Sequence, residues 1–106
     1  MEQESQDRSV LSRFGEPAVL VLLALSSRPM HGYAMMLCIE ADLGFKVGPG
    51  TLYGAIAKLV KLGLIRPLDS DDRAKPYEIT SEGKNALAEF IQRWEPAIRF
   101  GQARLA

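Results

Sequence analysis

Thr51, Tyr53, Lys58 and Lys61 are the side chains of this 106-residue chain whose types and spacing could do chemistry together. At about 100° per residue, Thr51, Lys58 and Lys61 share one side of a helix with Gly50, Gly54 and Ala57, and Tyr53 stands on its border. Leu52, Ile56, Leu59 and Val60 fall on the other side. An outward face of small residues edged by lysines lets a helix backbone come close to an anionic surface. The two ammonium groups would each neutralise a phosphate without reading sequence. Thr51 is the better base-edge candidate, because its methyl can meet thymine and its hydroxyl can donate or accept. Such a helix fits the major groove of a duplex. The plainer alternative is a solvated surface helix, with Tyr53 as a half-buried packing residue.

Other chemistry finds no support in the residues. One histidine, His31, and one cysteine, Cys38, make no metal site of recognisable spacing. Gly48 to Thr51 lacks the lysine of a phosphate-cradling loop, and no nucleophile has a base at useful spacing. No enzyme, cofactor or metal is expected. His31 reads as a cap of the helix that follows it, and Cys38 as a core residue.

The elements that must position this face can be read in order. Met1 to about Ser12 is polar and without period, a loose arm over residues 1–12. Glu16-Pro17 opens a helix. Its run Ala18 to Leu25 is apolar on every side, so both faces need cover, which points to a partner subunit. A second helix is expected over 32–43, ended by Gly44. Phe45 to Val47 could form an isolated bridge. The central helix then runs over 49–62, with Pro49 in its first turn and Gly63 closing its last. Residues 64–68 and 75–79 read as two short strands around the polar turn Asp69 to Ala74. A proline in each suits a small ribbon and not a large sheet. Thr80 reads as the N-cap of a last helix. Leu87, Ile91, Trp94, Ile98, Gly101 and Leu105 recur there with heptad spacing, a helix–helix seam, which Pro96 should kink or break near Arg93.

Composition sets the bounds. The chain is one domain, 47% apolar and 25% charged, with a formal net charge of zero. Basic residues nevertheless gather between Lys46 and Lys75, where six stand against three acids. A local basic surface on a neutral protein is therefore expected. The single cysteine and the shortness of the longest apolar run predict a cytosolic protein with no membrane partner.

Three helices, a ribbon and a closing helix make a winged helix-turn-helix: a mainly α fold with a small β-ribbon and dimerisation helices at both ends. His31-Gly32-Tyr33, Pro49-Gly50-Thr51-Leu52-Tyr53, Gly63-Leu64-Ile65 and Tyr77 to Gly83 closely resemble the PadR family of bacterial transcriptional regulators, from about Ala18 to Ala88. The resemblance is to its compact branch, with a single C-terminal helix. It implies a homodimeric regulator, a repressor, of palindromic promoter sites in double-stranded DNA. The winged helix-turn-helix would span 13–80, with recognition helix 49–62 and wing 64–79, and residues 81–106 would form the dimerisation helix. Arg73 and Lys75 would flank phosphates. Leu20, Leu87, Phe90, Ile91, Trp94 and Ile98 would lie at the dimer interface, and Trp94 would offer a platform for a planar aromatic effector.

Three departures stand out. Gly48 replaces a serine common before P-G-T-L-Y. Gly54 replaces a following proline, loosening the helix by about 1 kcal/mol relative to alanine. The wing carries Asp69, Asp71 and Asp72 where the family usually has arginines and lysines. Acids near phosphates repel, so a protein-interaction module with weak DNA binding is the competing reading.

Overall fold

The computed structural model describes residues 15–71 and 73–106. The expected arm over 1–12, the start of the domain at residue 13 and the wing residue Asp72 lie outside the described residues. The element order is α1 (Glu16–Leu25), α2 (Gly32–Cys38) running into a π-helical turn (Ile39–Leu43), α3 (Pro49–Lys61), β1 (Ile65–Pro67), β2 (Tyr77–Ile79) and α4 (Ser81–Leu105).

The apolar α1 is the centre of the core. Ala18, Leu20, Val21, Leu22, Ala24 and Leu25 are all buried, packed with Met35, Ile39, Leu52, Leu59 and Ile65. Each buried Val, Leu, Ile or Met side chain among them contributes roughly 1.5–3 kcal/mol, and each alanine methyl less. The expectation that α1 needs a second subunit to cover it is largely overturned. The ribbon, the other helices and α4 surround it within one chain, and only Val19 and Leu23 stay half-buried. Its last turn is closed by Ser26 and Ser27, whose hydroxyls donate to the carbonyls of Leu23 and Ala24 at 2.6 and 3.0 Å.

The second helical segment covers 32–43 as expected, but its last turn widens to π geometry before Gly44 at φ 79°. The third helix ends as its glycine requires. Gly63 has φ 76°, its N–H donates to the Val60 carbonyl at 3.0 Å, and the Leu64 N–H reaches Leu59 at 3.0 Å. Those two bonds make a Schellman closure. Leu52, Ala55, Ile56 and Leu59 form the buried stripe; Val60, expected with them, is 36% exposed. Ala55 takes the inward place because the stripe centres closer to Leu59 than the apolar residues alone suggest.

The strands pair antiparallel, with Ile65 opposite Ile79, Arg66 opposite Glu78 and Pro67 opposite Tyr77. Pro67 lies on the outer strand, where its missing N–H is harmless. The isolated bridge is not at 45–47: Met30 pairs with Tyr77 on the inner edge of the ribbon. Thr80 caps α4 by accepting from the Gly83 N–H at 3.0 Å and donates to the Gly63 carbonyl at 2.7 Å. One hydroxyl thus joins the end of α3 to the start of α4. The last helix is not broken at Pro96 and stays helical to Leu105. Residues 91–100 are all exposed, so the Gln92 carbonyl deprived of its N–H partner can turn to water.

Candidate nucleic-acid interface

The face of α3 read from the sequence is open. Gly50, Thr51, Gly54, Ala57, Lys58 and Lys61 are exposed. A methyl group built on Gly50 or Gly54 would meet nothing within 4 Å. The backbone there is reachable from outside, which is the property a groove-entering helix needs. The two lysines fall in the last turn of α3, where a cation also favours the negative end of the helix dipole. Thr51 and Lys58 stand at the rim of a small cleft of about 210 Å³ shared with Pro17 and Ala18 of α1.

Tyr53 is 49% exposed and its ring lies across the backbone of Gly32. A Cβ on Gly32 would come within 2.6 Å of the Tyr53 hydroxyl oxygen. The glycine in H-G-Y thus makes room for the tyrosine in P-G-T-L-Y. His31 occupies the N-cap position of α2, but its side chain makes no capping bond. Its Nε2 instead lies 3.1 Å from the Ala74 carbonyl oxygen, in the wing. A carbonyl only accepts, so this bond places the proton on Nε2. These two contacts are invisible to periodicity; the spacing of the two motifs was the one signal available.

In the wing, Arg73 and Lys75 are exposed, as are Asp69 and Asp71. Arg66 is engaged with Glu78 across the ribbon, its Nε donating to Oε2 at 2.6 Å, an exposed pair of small energetic weight. Cys38 is half-buried and donates to Asp42 Oδ2 at 3.5 Å. Burial, reinforced by the hydrogen bond to that carboxylate and its charge, pushes the thiol above its ordinary pKa.

A second surface lies along α4. Leu87 and Leu20 are buried inside one chain, at 6% and 4% exposure, whereas Ile91, Trp94 and Ile98 are 45%, 47% and 55% exposed. Phe90 is half-buried and its ring centre lies 6.4 Å from that of Trp94. Together with Val19, Leu23 and Phe45 these rings line an apolar groove of roughly 520 Å³, with Leu20 at its floor.

Among the described residues, no helix is long and apolar enough to cross a membrane, and no three acidic, histidine or cysteine side chains gather as a metal site.

A helix-turn-helix whose second helix leaves its small-residue face open, followed by a two-stranded ribbon, defines a winged-helix protein. Residues 20–89 match the transcriptional regulator PadR-like family, and the chain belongs to it. That class consists of DNA-binding transcription regulators, not enzymes. The solved structures agree in fold. A PadR family transcription regulator from hypervirulent Clostridium difficile R20291 superposes with a TM-score of 0.77 at 24% identity, over 87% of this chain and 100% of that one. A transcriptional regulator from Clostridium thermocellum gives 0.74 at 23% identity, over 91% and 96%. In sequence, the chain is 43% identical over 75 residues to an uncharacterised 37.1 kDa protein of transposon TN4556 from Streptomyces fradiae. That match covers 71% of this chain but only 22% of the relative.

Proposed function

We propose that this protein is a homodimeric repressor that places α3 in the major groove of a palindromic promoter site, with the wing on the flanking phosphates. The observation that carries the reading is the open face of α3: Gly50, Thr51, Gly54, Ala57, Lys58 and Lys61, small residues and lysines that are all exposed. Thr51 is the base-edge candidate, Tyr53, Lys58 and Lys61 the groove-side contacts, and Arg73 and Lys75 the wing contacts.

Two copies follow from the apolar stripe of α4. Ile91, Trp94 and Ile98 protrude with heptad spacing, and a second α4 laid against them removes that surface from water. Trp94 and Phe90 would then wall a groove whose volume lies in the range of small-molecule sites. A flat aromatic effector stacked on Trp94 is the ligand such walls accept.

The test is binding of the protein to duplex from its own upstream region, set against a scrambled duplex, across a salt series. Sequence-selective binding that weakens steeply with salt supports the reading. The acidic residues Asp69 and Asp71 favour the second reading, a protein-interaction module. No binding even at low salt would decide for it.

A further inference from the structure

Three successive residues at the entry to α2, Met30, His31 and the first helical residue Gly32, each hold a different part of the DNA-facing surface. The backbone of Met30 exchanges both hydrogen bonds with Tyr77 of the wing, Met30 N–H donating to Tyr77 at 3.1 Å and Tyr77 N–H to Met30 at 2.9 Å. The His31 ring reaches the Ala74 carbonyl at 3.1 Å, between the wing cations Arg73 and Lys75. The bare backbone of Gly32 carries the Tyr53 ring of α3. The ribbon itself has only three paired positions per strand, too short to fix its own tip. Exposed short ribbons of that kind move unless something else holds them.

We infer that the segment Met30–Gly32, which leads into α2, is the positioning element that sets the wing tip and the recognition helix in one fixed spacing for DNA. His31 acts on the wing through Ala74, and Gly32 acts on α3 through Tyr53; both are positioning residues and neither needs to touch DNA. This rests on the DNA-binding reading above. A wing cation that is held in place loses less freedom on meeting a phosphate than one on a swinging tip. A Tyr53 ring seated on Gly32 keeps its hydroxyl in one place. With a methyl at position 32 the ring must move, and it can, because the atoms in the way are the far end of an exposed side chain. The fold therefore survives Gly32→Ala while the recognition face changes.

Two arms test the inference. The first needs no DNA. In limited trypsin digestion of the folded chain, cleavage between Arg73 and Ala74 should be about fivefold faster in His31→Ala than in wild type, the factor expected for losing one hydrogen bond; Lys75, followed by Pro76, is not a trypsin site. His31→Gln, which keeps an amide N–H of similar reach, should return toward the wild-type digestion rate and toward the wild-type melting temperature, which His31→Ala should lower by about 4–8 °C. The second arm measures affinity for the upstream duplex in double-mutant cycles. His31→Ala should weaken binding about fivefold in the wild-type background and have no effect once Arg73 and Lys75 are both alanine. Gly32→Ala should weaken binding by a similar factor and have no effect in a Tyr53→Ala background. Equal digestion rates for wild type and His31→Ala overturn the wing half, and additive effects in both cycles overturn the inference as a whole. A wild-type protein that binds no duplex would instead remove the DNA-binding reading. The digestion arm would still decide whether His31 holds the wing.

Discussion

Removing the two lysines of α3 should change how DNA binding responds to salt by an amount the structure lets one state. Lys58 and Lys61 are exposed, one helical turn apart, at the edge of the open face. Each cation that neutralises a phosphate adds about 0.9 to the slope of log affinity against log salt. Two per protomer give about 1.8, and a two-fold pair seated on both half-sites gives about 3.6. Between 50 and 200 mM salt, these two lysines would then account for roughly a twelvefold loss of affinity per protomer, or on the order of 150-fold for the pair. Lys58 also interacts within its own chain, so its share falls below that of Lys61. The Lys58→Ala, Lys61→Ala protein should therefore bind every duplex more weakly at low salt, with a slope flatter by two to three, approximately. Fluorescence anisotropy with a labelled duplex at five salt concentrations measures it. The fold gives no reason for the variant to unfold, since alanine is at least as good a helix former as lysine. Unchanged slope in a folded variant would take this face out of the interface.

Other consequences are as specific. Asp71→Asn should tighten DNA binding if the wing lies on phosphates, by about two- to fivefold at low salt, and the gain should vanish above roughly 0.5 M salt as screening sets in. Gly83→Ala should destabilise the fold severely, because the new methyl would collide with the Leu64 carbonyl oxygen and crowd Ile79. Thermal unfolding would show it, and a wild-type melting temperature would contradict the packing described. Thr80→Ala, losing both a cap and the link to Gly63, should cost about 1–2 kcal/mol. Because its thiol is held above the ordinary pKa, Cys38 should alkylate more slowly than a free cysteine at pH 7.5. The rate should rise as pH climbs through the raised pKa, and Asp42→Asn should speed it.

Much of this was legible in the sequence because two strong local signals, period and punctuation, agreed. The α3 face needed only the spacing of Leu52, Ile56 and Leu59, with Pro49 and Gly63 as stops. The wing needed only short β-rich runs around an acidic turn. What stayed hidden is long-range or depends on partial burial. The side chain of His31 was free to cap α2 or to bond elsewhere, and only the fold brings Ala74 within reach. Gly32 reads as a helix-start glycine until Tyr53 is seen resting on it. The all-apolar α1 looked short of cover because composition says nothing of how many neighbours one chain can wrap around ten residues. Pro96 looked like a break because propensity weighs the lost N–H bond without knowing that Gln92 faces water.

The central claim, that α3 offers an open, lysine-edged face to a major groove in two symmetric copies, is tested most directly by titrating a duplex of the chain's own upstream region with the protein near 0.15 M salt. The account predicts two protomers per duplex, an affinity at least a thousandfold above that for scrambled DNA, and loss of that preference in Thr51→Ala. Equal affinity for both duplexes, or one protomer bound per duplex, would contradict it.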